Sequence, residues 1–289
     1  MTDGAELVKE ALATPGPCWF EGLAERLAGA RYRKMELATG INRARYGTVR
    51  YLARDAWAAR TELASVDFPA DFEASIPATV ELLGAPISKR YADLGLDLYG
   101  PSEIHPEEAV TAVLAAFRRI GEVPGAAVAI GALLSALHVL RPEGPEYDVS
   151  YSDPAVPFTI FVGIHPRAGA YGDLRLAESI LHECMHLQLT LMESVAPIVV
   201  DGGERMHSPW QGTSRPILGI LHGLYVFRAI QNFHRALLNR GAMTSDECRY
   251  LERRIDVIEN EAQSVQGLTG SRDLTAVGQR LASRLLLSR

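Results

Sequence analysis

The chain has 289 residues, and 47% of them are hydrophobic, which is enough for the core of one large domain or of two small ones. Its formal net charge is −6 at pH 7, so the chain lacks the excess of basic residues that is typical of proteins that bind nucleic acid or an acidic membrane surface. The 3 cysteines form no CxxC pair, so neither a disulfide framework nor a cysteine zinc site is predicted.

The first ten residues are acidic and lack the basic and apolar segments of a secretory signal. Together with the isolated cysteines, this composition favours a reducing, cytoplasmic location. We therefore expect neither a nucleic acid nor a membrane as partner.

Helix-favouring residues dominate the first third of the chain. Ala, Leu, Glu and Arg recur in segments that are separated by glycine and proline residues. The pattern predicts helices over residues 5–13, 18–38 and 41–63, then a proline-containing linker over 67–78.

Two more helices are expected in the next part of the chain. One covers residues 76–94 and is broken at Pro86, which lacks the backbone N–H that a helix interior needs. The other covers residues 106–120, where Pro106 suits the first helical turn and the following glutamates suit its positive end.

Residues 123–140 contain no charged side chain and are rich in Ala, Val and Leu. With two glycines and a histidine, the segment is marginal for crossing a hydrocarbon core of about 30 Å. A buried central helix is the favoured interpretation over a membrane span.

The clearest β pattern follows this segment. Residues 147–152 and 158–164 read as two strands joined across Asp153 and Pro154. The pair is either one wall of a cleft or a plain hairpin.

The segment 174–192 carries the motif His-Glu-Cys-Met-His at positions 182–186. Apolar residues recur around it without an internal Gly or Pro, which predicts a helix. On a helix, His182 and His186 lie one turn apart and can point both imidazoles at one metal ion, with Glu183 beside them.

Three further helices are predicted, after a polar and aromatic loop at residues 207–212. The first begins near Ser214 and Pro216 and ends near residue 239, and the other two cover 245–266 and 274–287. The expected fold is therefore mainly α, a helical domain with a small β element next to the metal-binding HExxH helix. An N-terminal helical region (1–145) and a metal-binding catalytic region (146–289) are expected, either as two parts or as one continuous domain.

The third metal ligand does not follow either common peptidase pattern. No His follows His186 at the metzincin spacing, and Glu204 lies in a glycine turn rather than on the downstream helix that would supply a gluzincin ligand. The best candidate is His222, which Gly219 and Gly223 flank so that another backbone can approach closely. A hydrogen-bonded core histidine is the competing interpretation, and His207 and Glu204 are the fallback ligands.

The order of these residues resembles the HExxH-type peptide β-hydroxylases. The shared pattern is the HExxH motif, then Ser208-Pro209-Trp210, then Arg-Pro-x-x-Gly-x-x-His-Gly ending at residue 223. The resemblance covers roughly residues 147–234. It implies Fe(II) with α-ketoglutarate as cosubstrate, oxidation of a side-chain β-carbon in a peptide, commonly a ribosomally made precursor (RiPP biosynthesis), and His182, His186 and His222 as metal ligands.

A dianionic cosubstrate needs a fixed cation, and Arg215 is the first choice. On a continuous helix it would share a face with His222 at an axial distance of roughly 10 Å. Arg205 and Arg228 compete for this role. Ser208, Trp210 and Tyr225 are further candidates for the cosubstrate pocket, and the competing interpretation is that each merely packs.

Two alternatives to the hydroxylase stay open. A zinc metallopeptidase would use Glu183 as the general base that activates a bound water, whereas in an oxygenase Glu183 would orient a ligand or contact the peptide. A non-catalytic peptide-binding protein with a structural metal is the third candidate.

Overall fold

A computed structural model describes residues 4–53, 61–67, 76–165, 169–200, 202–241 and 243–287. In this part of the chain the fold is mainly α, as predicted. Its ten α-helices are α1 (Gly4–Ala13), α2 (Glu21–Thr39), α3 (Thr48–Leu52), α4 (Ile87–Ala92), α5 (Pro106–Gly121), α6 (Pro124–Leu133), α7 (Gly172–Glu193), α8 (Ile217–Arg240), α9 (Ser245–Ser264) and α10 (Ala276–Leu287).

A mixed sheet accompanies the helices, with the strand order β1-β2-β3-β5-β4. The central pairs β2/β3 and β3/β5 are parallel, and the outer pairs β1/β2 and β4/β5 are antiparallel. Its strands are β1 (Leu63–Asp67), β2 (Thr79–Leu83), β3 (Ala136–Leu140), β4 (Ser150–Tyr151) and β5 (Thr159–Gly163).

The prediction of one buried helix over residues 123–140 is half wrong. Helix α6 ends at Leu133, the backbone of Leu134 is extended, and the remaining residues form the central strand β3. Every residue of β3 is buried. A strand covered on both faces is apolar throughout, so its hydrophobic pattern does not differ from that of a buried helix.

Two other predicted helices are also wrong in part. In residues 41–63 the structure has a 3₁₀ turn at Arg43–Arg45 and the short α3, and the last residue already begins β1. In residues 76–94 strand β2 precedes the helix α4, which begins just after Pro86. Most of the expected linker lies outside the described residues.

The predicted pair of strands around residue 153 is confirmed. Strand β4 pairs with β5 in antiparallel fashion, with Tyr151 opposite Phe161. It is only two residues long, so it forms an edge of the larger sheet rather than half of an isolated hairpin.

The helices after residue 214 agree with prediction except at the start of α8. Ser214–Pro216 is strand β7, which pairs with β6 (Arg205–His207), and Pro216 caps α8 instead of lying within it. Helix α9 begins as predicted with a capping box: Thr244 and Glu247 each satisfy a backbone N–H of the other.

The chain divides into two compact units, one of Met1–Leu27 with Gln188–Arg289 and the other of Ala28–Leu187. The sheet belongs to the second unit, in which the expected domain boundary near residue 145 also falls. The first unit contains the β6–β7 hairpin and α8 to α10. None of the described helices combines the length and the apolar character needed to cross a membrane.

Candidate functional site

Helix α7 carries the HExxH motif on an uninterrupted 22-residue helix. The residues that flank the motif on both sides, Leu181 and Leu187, are buried, so packing fixes the helix around it. Nε2 of His182 lies 3.1 Å from Nε2 of His186. The two imidazoles therefore converge on one point, as the i, i+4 spacing predicts.

The separation of these nitrogens fits two ligands of one divalent metal ion. With metal–nitrogen bonds of about 2.1 Å, two ligand nitrogens are about 3.0 Å apart at a right angle and about 3.4 Å apart at a tetrahedral angle. The observed 3.1 Å lies between these values. A hydrogen bond between the two imidazoles, in which one Nε2 carries a proton and the other does not, has the same length.

Glu183 is buried next to the histidine pair. Its Oε1 accepts a hydrogen bond of 2.7 Å from Oγ of Ser150 on β4 and lies 3.9 Å from Nε2 of His182. The sheet edge thus fixes the carboxylate close to the point where the histidines converge. Sequence analysis did not identify Ser150, because its role depends on the pairing of β4 with the rest of the sheet.

The other two motif residues point into the protein. Cys184 and Met185 are both fully buried, and burial raises the pKa of the Cys184 thiol well above its usual value. A thiol held neutral in this way is a packing residue rather than a thiolate ligand.

His222 lies in the other compact unit, on α8. Its Nε2 is 3.3 Å from Oε1 of Glu193, the last residue of α7, and the two side chains are 19% and 26% exposed. His222 is therefore a half-buried residue next to a carboxylate, not a fully buried core histidine. Sequence analysis missed Glu193.

The glycines beside His222 do not receive another backbone as expected. At Gly223 it is the indole of Trp210 that approaches, so closely that any Cβ would overlap the ring. The indole also stacks on Phe227 with ring centroids 5.4 Å apart, and its Nε1 is buried without a hydrogen-bond partner among the described residues. Trp210 thus covers the helix face directly after His222.

Arg215 is exposed and belongs to β7. The expectation that it shares a helix face with His222 is wrong, because α8 begins only at Ile217. The chain nevertheless folds back enough for Nε of Arg215 to lie within 3.6 Å of the position that a Cβ of Gly219 would take. The guanidinium therefore lies beside the first turn of α8.

The competing arginines have partners of their own. Arg228 is buried on α8 and donates to Glu259 of α9 at 2.6 Å, which lowers the pKa of Glu259 to about 2. Arg205 donates to the carbonyl of Ser214 at 2.7 Å. Arg228 is thus committed to holding α8 against α9.

Ser208 and Tyr225 lie in packed surroundings. The Tyr225 hydroxyl donates to Gln188 at 2.7 Å, its ring stacks on Phe20, and complete burial raises its pKa well above the usual value. Ser208 is buried where the β6–β7 loop closes, its amide bonded to the carbonyl of Thr213. Of the fallback ligands, His207 is exposed, and Glu204 accepts hydrogen bonds from Ser271 and Arg272.

A cleft of about 690 Å³ opens at the start of α7, within the unit that contains the sheet. It lies where β5 ends and α5 begins, and both apolar side chains and carboxylates line it. Lining residues include Glu107, Ala112, Tyr147, Ile164 and Leu176.

Within the described residues, no group of three or more His, Cys, Asp or Glu side chains is arranged to hold a metal ion. No protein-family model matches the chain, and no curated protein matches it in sequence.

Proposed function

We propose that the protein is an Fe(II)- and α-ketoglutarate-dependent oxygenase that hydroxylates the β-carbon of a residue in a peptide, in particular a ribosomally synthesised precursor. In this reaction one atom of O₂ enters the new C–OH group and the other enters succinate, while α-ketoglutarate loses CO₂. The cosubstrate supplies the two electrons that, with the two from the C–H bond, reduce O₂.

The observation that carries the proposal is the convergence of His182 and His186 at 3.1 Å on α7. In the proposal His222 is the third ligand, on the strength of its place in the sequence pattern and its half-buried imidazole. Three neutral imidazoles leave the metal its full positive charge and leave positions open for a dianionic cosubstrate and O₂. Bound iron and α-ketoglutarate would together supply the oxidising chemistry.

Arg215 remains the proposed partner of the distal carboxylate of α-ketoglutarate. Its exposed guanidinium beside the first turn of α8 offers a planar fork that binds a carboxylate through two parallel hydrogen bonds. Trp210 would shield the cosubstrate from water on the neighbouring turn. Ser208 and Tyr225 act through the packing around them.

The cleft at the start of α7 supports a peptide as substrate. Its volume of about 690 Å³ falls within the range of ligand pockets and holds a segment of a few residues. Gly172 and Leu176 of α7 line it, and His182 follows six residues after Leu176, a rise of about 9 Å along the helix. A bound segment would therefore leave its neighbours within reach of the histidine pair.

A zinc metallopeptidase is the second candidate, and the position of Glu183 favours it. A buried carboxylate 3.9 Å from Nε2 of His182 is also where a base for a metal-bound water would lie. The two candidates differ in what the loss of this carboxylate should do.

Succinate formation separates the two functions. With Fe(II), O₂ and α-ketoglutarate, the wild-type protein should release succinate slowly even without peptide, and Glu183→Gln should still do so. A peptidase that depends on Glu183 should lose about 10²-fold or more of its turnover in the same variant. The hydroxylase proposal is wrong if the protein cleaves peptides with zinc, loses this activity in Glu183→Gln and shows no dependence on α-ketoglutarate.

Arg215→Ala tests the cosubstrate site. The metal should stay bound, while the half-saturating α-ketoglutarate concentration should rise about tenfold or more, since a charge-assisted pair is lost. Arg215→Lys should recover only part of this, because an ammonium lacks the planar fork. The matched control is Arg205→Ala, which removes an arginine from β6, the strand that pairs with β7. If Arg205→Ala raises the half-saturating α-ketoglutarate concentration and Arg215→Ala does not, Arg205 rather than Arg215 binds the cosubstrate.

A further inference from the structure

The cleft at the start of α7 combines an apolar surface with an excess of carboxylates. All of its lining residues belong to the unit that contains the sheet. Among the described residues that line it are four carboxylates, Glu107, Glu108, Asp148 and Asp173, and one guanidinium, that of Arg175. A ligand of this cleft must therefore match both its apolar surface and its charge.

The guanidinium in the cleft is already neutralised by carboxylates of the protein. Arg175 is buried, its Nε donates to one oxygen of Asp148 at 3.0 Å, and its Nη2 lies 2.9 Å from the other. Its Nη1 donates to Glu146 at 2.6 Å. Because two carboxylates face this one cation, Arg175 does not offset the remaining negative charge of the cleft.

The other carboxylates of the cleft differ in their partners. Nε of Arg119 donates to Asp173 at 2.6 Å, so this carboxylate is paired. The side chains of Glu107 and Glu108 are exposed, and they make no hydrogen bond or ion pair with any other residue that the structure describes. They are therefore two negative charges that a ligand can reach without displacing a protein partner.

Glu107 and Glu108 lie on the face of α5 that lines the cleft. Thr111, Ala112 and Ala115 continue this face along the helix, at helical spacing. Ala112 follows Glu108 by one helical turn, about 5.4 Å, which is close to the length of an extended lysine or arginine side chain. The helix dipole alone would also favour carboxylates in the first turn of α5, but it does not account for the small residues that follow them along the cleft.

We propose that the cleft binds a basic segment of the peptide substrate, with a lysine or arginine side chain that packs its aliphatic stem against the apolar residues and directs its cationic end to Glu107 and Glu108. Such side chains bury their methylene groups while the charged end stays at a polar site. An acidic side chain at the same place would meet an excess of negative charge, so the cleft would also reject acidic segments. The inference rests on the proposed function only in taking a peptide as the ligand, and it involves no metal.

Selection from random heptapeptides displayed on phage tests the charge preference. The whole chain is the bait, with EDTA present, at pH 8, where an ordinary histidine is uncharged. Lysine and arginine should be enriched among the heptapeptides that bind, and aspartate and glutamate should be depleted. The enrichment should disappear in the double variant Glu107→Gln and Glu108→Gln.

The matched control is the double variant Glu36→Gln and Glu252→Gln, which removes two exposed carboxyls from α2 and α9. It changes the net charge by the same amount and should keep the enrichment. The proposal is overturned if no heptapeptide binds, if the bound heptapeptides are not rich in basic residues, or if the enrichment survives the loss of Glu107 and Glu108.

A second measurement locates the binding in the cleft. By fluorescence anisotropy, a labelled heptapeptide from this selection should bind the variant without the two glutamates about tenfold more weakly, since two charge pairs are lost. Raising NaCl from about 50 to about 500 mM should weaken binding to the wild type more than to this variant. Ala112→Phe keeps every charge but fills the cleft, so it should weaken binding about tenfold or more. Wild-type affinity in Ala112→Phe would mean that the cleft is not the site.

Failure of this inference is distinguishable from failure of the proposed function. Succinate formation without a preference for basic heptapeptides would remove the basic segment and leave the oxygenase. A preference for basic heptapeptides without succinate formation would leave a peptide-binding cleft and remove the oxygenase.

Discussion

Replacing His186 with alanine should abolish tight metal binding. The wild-type protein, purified anaerobically, should bind about one Fe(II) per chain, and His182→Ala or His186→Ala should weaken binding by well over 10²-fold. A direct ligand is lost in each variant, so the effect should exceed the loss of an outer-shell partner. Isothermal titration of the apo protein with Fe(II) measures it.

The control for this experiment is His105→Ala, which makes the same chemical change at an exposed histidine before α5. Circular dichroism should show that all variants keep their helices. If His186→Ala binds Fe(II) as tightly as wild type, the HExxH helix holds no metal. If only His222→Ala keeps full affinity and activity, the third ligand is a different residue.

Sequence analysis correctly predicted the features of the fold and of the site that depend on residues close together in the chain. The α7 helix, the convergence of His182 and His186 and the capping box of α9 all depend on residues at most four positions apart. The periodicity of one helix suffices to place them.

The sheet was largely missed because its central strands carry no local signature. Strands β2 and β3 are parallel and almost completely buried, so they lack the alternation that reveals an antiparallel strand with one solvent face. Only the edge pair β4/β5, with its alternating tyrosines and polar residues, was visible from sequence.

Glu193 and Ser150 were missed for a related reason. Their partners, His222 and Glu183, are about thirty residues away in sequence, and which residues meet depends on the tertiary fold. For Glu193 a signal did exist, since a carboxylate eleven positions after the first histidine of HExxH falls on the same helix face. Nothing local distinguishes Ser150 from any other serine in a strand.

The missed strands bury two ionisable groups side by side. Glu81 on β2 and His138 on β3 are opposite each other in the sheet, and both are shielded from water. Thr48 links them: its amide donates to the Glu81 carboxylate at 3.0 Å, and its hydroxyl lies 2.8 Å from Nε2 of His138. Nδ1 of His138 lies 2.9 Å from the carbonyl of Glu81, so His138 is held as the neutral Nδ1–H tautomer.

Burial shifts the two pKa values in opposite directions. Desolvation raises the pKa of Glu81 from 4.5 to about 7, against the hydrogen bonds of Thr48 and the charge of Arg50. It lowers the pKa of His138 from 6.5 to about 4, against its bond to the Glu81 carbonyl. The fold therefore favours the neutral form of both groups.

These shifts predict two opposing contributions to the free energy of unfolding. Glu81 lowers stability as the pH rises from about 4.5 to 7, where the native state holds a proton that the unfolded chain has released. His138 lowers stability as the pH falls from about 6.5 to 4, where only the unfolded chain gains a proton. Between about 4.5 and 6.5 the two slopes should nearly cancel in the wild-type protein.

Single substitutions should separate these contributions. Relative to wild type, Glu81→Gln should gain stability as the pH rises from 4.5 to 7, and His138→Gln should gain it as the pH falls from 6.5 to 4, each by about 3 kcal/mol across its window. Urea unfolding at half-unit pH steps measures the difference, and Glu108→Gln, which removes an exposed carboxyl of α5, should follow the wild-type profile. Both glutamines keep the volume and the hydrogen-bonding capacity of the site, so the sign of the pH dependence, rather than the absolute stability, identifies the titrating group. If the free energies of unfolding of Glu81→Gln and His138→Gln depend on pH in the same way, the two buried groups do not have opposite pKa shifts.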